Sequence, residues 1–272
     1  MSIIAISRGT FSGGEGLARR VAERLGYRCL SRETNLEAAS KVYGVAAKDL
    51  MAAMEKRPSF WQRVAGERTA HLAFVRATLC QQARSGSLVY HGLVGHLMLP
   101  GISHIIRVRV IADMDYRIRG AMQQQNLEHG EALAHIESVD KERRQWIRFL
   151  FDVEWDDPHL YDIVLNLSRM SPATACDTVV HLTERDEFKP TAKSQEAMEN
   201  LALSTVVAAV LARDPRTRDA DLDVVADSGI VTLSGKTTSE GVEQAAPLIT
   251  RQVDGVAEVR SNITLIRTYP GT

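Results

Sequence analysis

The chain has 272 residues, a formal net charge of −1, 44% hydrophobic residues and 25% charged residues. These values indicate an ordinary globular protein of one large or two unequal domains and call for no special class. The balanced charge predicts no nucleic-acid partner and no strong attraction to an anionic membrane.

Cysteines and apolar runs set further limits. Cys29, Cys80 and Cys176 are widely spaced and belong to no CxxC motif or Cys/His cluster, so we expect neither a disulfide framework nor a metal site. The amino terminus lacks the pattern of a signal peptide, and no run approaches the ~20 apolar residues of a membrane span. We therefore expect a cytoplasmic protein without a transmembrane segment.

In chain order, the first part of the sequence alternates strands with helices, which favours an α/β fold with a parallel sheet whose ligands bind at the strand carboxyl ends. Apolar runs predict strands, helical periodicity predicts helices, and Gly26 is expected to end the first helix. The predicted elements are strand 3–7, helix 17–25, strand 27–30, helices within 33–56 and 64–84 interrupted near Pro58, strands within 86–95 and 104–113, a charged helical region 116–151, strand 161–168 and helix 172–182.

A second, smaller α+β unit follows a polar, proline-containing stretch. We predict a first domain over 1–185, a linker over 186–197 and a second domain over 198–268. The second domain is predicted to contain a helix near 198–212, two strands within 221–236 joined by a hairpin turn at Gly229, a helix at 239–252 and a final strand within 256–266.

The segment GTFSGGEG, residues 9–16, joins the first strand to the first helix. A P-loop needs glycines so that backbone N–H groups converge on phosphate, a lysine for the outer phosphates, and a hydroxyl for magnesium. Gly9 and Gly14 have the required spacing, but Glu15 occupies the lysine position and Gly16 the hydroxyl position. Because a carboxylate repels phosphate, the loop meets only one of the three requirements.

A structural role fits Glu15 as well. Ser12 and Glu15 have the spacing of a capping box, in which the serine oxygen accepts from the N–H three residues later and the glutamate accepts from the serine N–H. The loop is therefore predicted to be either a phosphate site or a capped glycine turn whose donors are already occupied.

Two longer stretches carry a family resemblance. IIAISRGTFSGGEGLARRVAERLGY and DKERRQWIRFLFDVEWDDPHLYDIVLNLSRMS resemble the cytidylate kinase-like proteins, a branch of the nucleoside monophosphate kinases, over nearly all of residues 1–185. The resemblance implies a P-loop, doubly wound parallel sheet with a helical lid, ATP as phosphoryl donor with Mg²⁺, and donor phosphates over Ser12, Gly13 and Gly14.

The same resemblance assigns further site residues. Lid arginines that surround the moving phosphoryl group correspond to Arg143, Arg144 and Arg148, and they would partly replace the absent lysine. The acceptor nucleotide is expected near Arg32 and near Asp157 to Asp162.

Two departures from the family pattern leave activity open. Relatives commonly have an arginine where this chain has Glu15, and the turn Gly92-Leu93-Val94-Gly95 has lost another arginine. The nearby His91 and His96 are expected to be structural. The chain is thus an active nucleoside monophosphate kinase, a pseudokinase that binds a nucleotide or another small anion, or a scaffold for homo-oligomers.

The tail resembles a BON domain in the helix ending ARDP, in SGIVTLSG and in the final strand SNITLI. Such domains imply a phospholipid or protein partner. Residues 198–272 carry seven Lys and Arg against ten Asp and Glu, a net charge of −3, which argues against strong binding to anionic lipid. A protein partner or self-association is at least as well supported, with the chain either cytoplasmic or peripheral to a membrane.

Overall fold

The computed structural model describes residues 1–55 and 67–266, which form two compact units. The first unit holds Met1–Asn35 and Ser85–Ser194, together with residues 54 and 55. The second holds Leu36–Ala53, 67–84 and 195–266. The domain boundaries predicted from the sequence stay predictions.

Strands and helices alternate as expected for an α/β chain followed by a smaller unit. The strands are β1 Ile3–Arg8, β2 Arg28–Ser31, β3 Leu88–Gly92, β4 Ile105–Ile111, β5 Ile163–Asn166, β6 Leu222–Asp227, β7 Ile230–Thr237 and β8 Glu258–Leu265. The helices are α1 Gly14–Leu25, α2 Arg32–Tyr43, α3 Ala47–Glu55, α4 Glu67–Ala83, α5 Gly95–Met98, α6 Met114–Gln125, α7 His129–Phe151, α8 Pro172–Thr183, α9 Ala192–Arg213 and α10 Glu240–Thr250.

The first unit is built on a five-stranded sheet in the order β2-β3-β1-β4-β5, and every pairing is parallel. β1 is therefore central, with Ser7 opposite Gly92 of β3 and Arg8 opposite Val110 of β4. Because all carboxyl ends lie at one edge, the loop after β1 leaves from the middle of that edge, where doubly wound sheets bind ligands.

The two faces of this sheet differ in chemistry. Side chains of a strand alternate between faces, so Ile4 and Ile6 pack with Leu17 and Val21 of α1 and Val179 of α8 in one apolar cluster. Ser7 is on the opposite face and makes hydrogen bonds there. The apolar face fixes α1 to the sheet and thereby fixes the position of the loop that precedes α1.

Three sequence predictions need correction or lie outside the described residues. The helical region 33–56 is two helices, because Gly44 adopts a left-handed conformation with φ of 71° just after α2. The break near Pro58 lies outside the described residues. α9 begins at Ala192 rather than near residue 198, because Thr191 and Ser194 cap each other's backbone N–H groups at 2.9 and 3.1 Å.

The second unit has a three-stranded sheet in the order β6-β7-β8. β6 and β7 form the predicted antiparallel hairpin, with positive φ at Ser228 (50°) and Gly229 (84°). Two positive φ angles give a turn whose twist matches that of the strands. β7 and β8 are parallel, with α10 as the crossover, and the core includes Val207, Val231 and Ile249.

Within the described parts of the chain, no helix combines the length and apolarity needed to cross a bilayer.

Candidate functional site

The glycine loop turns sharply between β1 and α1. Gly13 is the N-cap of α1 and has φ of 81°, a conformation that residues with a Cβ rarely adopt. The hydroxyl of Ser12 donates to the carbonyl oxygen of Gly9 at 2.9 Å, and the Ser12 amide donates to the same oxygen at 3.2 Å. The loop is therefore closed on itself by Gly9 and Ser12.

The capping box predicted for Ser12 and Glu15 is wrong. That box requires Ser12 at the N-cap, whereas α1 begins one residue later and Gly13 caps it without a side-chain hydrogen bond. Glu15 instead accepts from Arg19 at 2.7 Å, one helical turn along, and both side chains are exposed. Glu15 therefore does not occupy the donors of the loop.

Four loop amides are left without a protein acceptor. In the described part of the chain, the N–H groups of Gly13, Gly14, Glu15 and Gly16 donate to no acceptor atom, and the first bond of the helix is from the Leu17 amide to the Gly13 carbonyl at 3.2 Å. Unpaired N–H groups at the positive end of a helix dipole favour an anion.

These amides face a cavity of about 660 Å³, large enough for a nucleotide. Its wall comes from the loop, β2–α2 and the α6–α7 pair. The residues lining it are Arg8, Thr10, Phe11, Ser12, Gly13, Gly14, Glu15, Gly16, Arg19, Arg32, Glu33, Gln124, Gln125, His135, Val139 and Arg143.

Most of the predicted donor-site residues meet in this cavity. Ser12 to Gly16 line it together with Arg32 and with Arg143 of the helical lid. Gly9 is not in the wall and contributes the carbonyl that closes the loop.

The other predicted residues make contacts elsewhere. The Arg144 Nε–H donates to Asp156 at 2.7 Å, and exposed Arg148 pairs with Glu154. Asp157 caps a short 3₁₀ helix by accepting from the His159 amide at 2.9 Å.

Asp162 likewise binds the protein itself. Its carboxylate accepts from the Arg107 amide at 2.7 Å, and its own amide donates to the Arg107 carbonyl at 2.8 Å. Neither Asp157 nor Asp162 lines the cavity. Their roles in binding an acceptor stay predictions.

A buried polar network joins the loop to the lid helix α7. The Thr10 hydroxyl donates to Asp140 at 2.9 Å and accepts from Arg143 at 2.8 Å. Arg117 of α6 donates to Asp140 at 2.6 Å and to the Thr10 carbonyl at 2.7 Å. Arg117 and Asp140 are both buried, so α6 and α7 are held to the loop through Thr10.

A second polar cluster lies on the other side of β1. The Arg109 guanidinium is stacked 3.8 Å from the centroid of the Trp155 ring and donates to Asp156 at 2.9 Å. Trp155 Nε1–H donates to the Ser7 hydroxyl at 2.9 Å, and the Tyr161 hydroxyl donates to the Trp155 carbonyl at 2.8 Å. Burial lowers the pKa of Arg109, while Asp156 and the Tyr161 phenol oppose that effect.

Both histidines near the turn after β3 are buried and neutral. Burial, with a smaller effect of the Arg8 charge, lowers the pKa of His91 to about 4. Burial, with the charges of Arg107 and Arg109, lowers the pKa of His96 to about 3. His96 packs against Tyr161 at 4.9 Å between ring centroids. These histidines therefore supply no positive charge near pH 7.

Sequence reasoning missed several residues of the site. Arg8, Thr10 and Arg19 line the cavity, and Arg117 and Asp140 fix the lid to the loop. Asp140 and Arg143 are three residues apart, so both lie on one face of α7, which was an available signal. The hydrogen bond from Arg117 to the Thr10 carbonyl joins residues far apart in the chain, so no local sequence pattern could predict it.

The fold defines a P-loop kinase-like protein with a glycine loop after β1, a helical lid and a small C-terminal sheet domain. The model of the cytidylate kinase-like family matches residues 3–169, and the chain belongs to that family. The model of the BON domain matches residues 201–267, so the second sheet belongs to a BON domain.

A curated relative and two solved structures are similar to this chain over about two thirds of its length. A cytidylate kinase of Ignicoccus hospitalis is 24% identical over 181 residues, which is 66% of this chain and 97% of that protein. An uncharacterized protein from Eubacterium ventriosum, solved as a crystal structure, covers 68% of this chain and 99% of its own, with 21% identity and a TM-score of 0.51. A shikimate kinase from Bacteroides thetaiotaomicron covers 68% and 99%, with 12% identity and a TM-score of 0.43.

Proposed function

We propose that the first domain binds ATP at the glycine loop and transfers the γ-phosphoryl group to a nucleoside monophosphate. The observation that carries this proposal is the set of unpaired amides at Gly13 to Gly16 that faces a cavity of about 660 Å³. The family and the cytidylate kinase of Ignicoccus hospitalis support a cytidylate-like acceptor.

Phosphoryl transfer suits a site of this composition. The transition state spreads negative charge over the phosphoryl oxygens, so catalysis is mainly positioning and electrostatic stabilisation. The loop amides would hold the phosphates of the donor. Arg143 projects from α7 into the same cavity, and its bond to Thr10 at 2.8 Å fixes its distance from the loop. Of the three proposed lid arginines, Arg143 is therefore best placed to act.

The acceptor end of the site rests mainly on Arg32. This buried arginine begins α2, at the carboxyl end of β2, and lines the cavity beside the loop. Its Nε–H and Nη2–H groups both donate to Glu33, at 3.0 and 2.9 Å. The arrangement orients the guanidinium, so Arg32 is our candidate for holding the phosphate of the monophosphate acceptor.

Magnesium would enter with the nucleotide. Among the residues that the structure describes, no group of three His, Cys, Asp or Glu side chains could hold a metal ion. Gly16 offers no hydroxyl, and the cavity carboxylates Glu15 and Glu33 are paired with Arg19 and Arg32. We therefore propose that magnesium arrives bound to ATP and that MgATP is the substrate.

Glu15 supports a second candidate, a pseudokinase that binds nucleotide without turnover. Its carboxylate stands where P-loops carry a lysine, and Arg19 offsets its charge only through an exposed pair. This candidate predicts that Glu15→Lys strengthens MgATP binding in calorimetry, because a repulsive charge becomes attractive. Weaker binding by Glu15→Lys would make Glu15 a participant in binding and contradict this candidate.

The deciding experiment is a coupled assay of ADP formation with MgATP and CMP, dCMP, UMP or AMP. Arg143→Ala tests the cavity, and Arg148→Ala is the matched control, because Arg148 leaves the same helix but pairs with Glu154 outside the cavity wall. We expect turnover with at least one acceptor, lost about 100-fold or more in Arg143→Ala and kept in Arg148→Ala. Wild-type turnover no higher than that of Arg143→Ala with every acceptor would contradict the kinase proposal.

For the BON domain we propose a docking role with a protein partner or a second copy of the chain. The net charge of −3 over residues 198–272 disfavours anionic lipid. Sedimentation of the full chain with phosphatidylglycerol and with phosphatidylcholine vesicles tests this. Co-sedimentation that depends on the anionic lipid would contradict it and place the protein at a membrane surface.

A further inference from the structure

Arg8 is the last residue of β1 and directly precedes the glycine loop. Its side chain lines the large cavity. It also lines a small adjoining cleft of about 10 Å³, whose other walls are Arg32, Gly92, Leu93 and Arg143. Arg8 therefore lies where the donor cavity meets the turn after β3.

Arg8 differs from the other arginines of the cavity in its hydrogen bonding. Arg19 binds Glu15, Arg32 binds Glu33, and Arg143 binds Thr10. Within residues 1–55 and 67–266, the Arg8 guanidinium has no hydrogen bond or ion pair, and its Nε is buried without an acceptor. A partly buried cation without a partner is costly, and an anion in the cavity would remove that cost.

The stem of Arg8 is held against the start of α1. A Cβ added at Gly14 would lie 2.6 Å from Arg8 Cβ and 3.2 Å from Arg8 Cδ, so only glycine allows this packing. Gly14 also carries one of the unpaired amides. The contact therefore fixes the Arg8 side chain beside the amides that face the cavity.

Nearby groups leave the charge of Arg8 uncompensated. Burial and the Arg8 charge hold the pKa of His91 at about 4, so His91 is neutral and neither assists nor neutralises Arg8. Burial raises the pKa of Glu33, and the charges of Arg32 and Arg8 lower it. The Glu33 Oε1 atom, however, already accepts two N–H groups of Arg32. Arg8 therefore contributes a positive charge that no nearby carboxylate binds directly.

We propose that Arg8 is the phosphate-binding cation that takes the place of the absent loop lysine and contacts the outer phosphates of the donor nucleotide. This inference rests on the proposed function, since it assigns a role within the same donor site. It also explains how a loop with Glu15 in the lysine position holds a polyphosphate: the cation comes from the strand before the loop instead of the helix after it.

Calorimetry on the full chain tests the role of Arg8. Wild type, Arg8→Met and Arg8→Lys are titrated with MgATP, tripolyphosphate and AMP. Arg24→Gln is the matched control, because Arg24 is an exposed arginine of α1 that pairs with Asp177 and does not line the cavity. We expect Arg8→Met to weaken MgATP and tripolyphosphate binding about 10- to 100-fold, since a lost charge-assisted hydrogen bond has that effect. AMP lacks the outer phosphates, so its affinity changes less than about threefold. Arg8→Lys keeps most of the affinity, and Arg24→Gln binds like wild type.

The outcomes separate this inference from the proposed function. If wild type binds tripolyphosphate and Arg8→Met binds it within twofold of wild type, the role of Arg8 is overturned while the donor site stands. If wild type binds neither tripolyphosphate nor MgATP, both proposals are overturned. If Arg8→Met loses affinity while wild type shows no turnover, the role of Arg8 is supported and the pseudokinase replaces the kinase.

A measurement on the wild-type chain covers the case in which Arg8→Met does not fold. Phenylglyoxal modifies accessible arginines, and peptide mapping by mass spectrometry reports Arg8 and the exposed Arg24 separately. We expect saturating tripolyphosphate to slow the modification of Arg8 at least fivefold and to leave the modification rate of Arg24 unchanged. Modification of Arg8 at the same rate with and without tripolyphosphate would overturn the inference.

Discussion

The glycine loop and the segment 155–162 both carry residues that resemble the cytidylate kinase-like family, yet they use their polar groups in opposite ways. In the segment, Trp155, Asp156 and Tyr161 bond to protein atoms on β1, β4 and α7 or to each other. In the loop, the amides of residues 13–16 find no acceptor within the described residues. The comparison indicates that the segment is scaffold, and it supports our proposal that the loop is the binding site.

The largest effect is expected in the scaffold. Trp155 is buried, supports Arg109 and donates to Ser7, so Trp155→Ala should lower the free energy of unfolding by about 3–5 kcal/mol. His159→Ala, in the same segment but highly exposed, should change it by less than about 0.5 kcal/mol. Urea denaturation measures both. If Trp155→Ala lowers the free energy of unfolding by less than about 1 kcal/mol, the interpretation of this segment as scaffold is wrong.

The next largest effect concerns the link between loop and lid. Asp140→Ala removes the partner of buried Arg117 and the acceptor of Thr10, and an unpaired buried charge costs about 3 kcal/mol or more. The exposed neighbour Glu142→Ala is the control and should be close to neutral. Differential scanning calorimetry measures the change, and equal melting temperatures for the two variants would show that the network does not hold the lid.

Two glycines of the loop give a smaller but sharper contrast. A Cβ at Gly14 would collide with the Arg8 stem at 2.6 Å, so Gly14→Ala should cost about 1–3 kcal/mol of stability and weaken tripolyphosphate binding. A Cβ at Gly16 meets nothing within 4 Å, and alanine favours the helix, so Gly16→Ala should be neutral or slightly stabilising. Thermal denaturation measures the stability of both variants. An equal loss of stability in Gly14→Ala and Gly16→Ala would contradict the packing of Arg8 on Gly14.

The smallest effect is a pH dependence that the buried histidines impose. Burial lowers the pKa of His91 to about 4 and that of His96 to about 3, so the unfolded chain binds more protons than the folded chain below pH 6.5. The free energy of unfolding should therefore fall by about 1–2 kcal/mol between pH 6.5 and pH 5.5. His96→Phe should remove about half of that pH dependence in urea titrations, and an unchanged pH dependence would show that folding does not lower the pKa of His96.

The sequence predicted the fold because its signals are local. Short apolar runs, helical periodicity and Gly26 and Gly229 at turns each act over a few residues, and the structure confirms the parallel sheet and the hairpin. The resemblance predicted the loop and the two cavity arginines Arg32 and Arg143, which the structure brings together.

The remainder of the site depends on side-chain direction and on contacts between distant residues. Successive helical residues point about 100° apart, so Arg143 enters the cavity whereas Arg144 turns to Asp156. α1 begins one residue later than the predicted capping box requires. Glu15 therefore pairs with Arg19 instead of capping the helix. Arg8 gave no motif signal, because the feature behind its proposed role is the absence of a hydrogen-bond partner within the described residues, which only the fold reveals.

The most direct test of the central claim is an amide NMR titration of the full-length wild type with MgATP. The account predicts that the amide resonances of Gly13, Gly14 and Gly16 shift saturably together, because these N–H groups take a phosphate oxygen as acceptor. Gly130, in the first turn of α7, is the internal control, and its amide resonance should not shift. Loop amide resonances that do not move at millimolar MgATP, or that move no more than Gly130, would contradict the account.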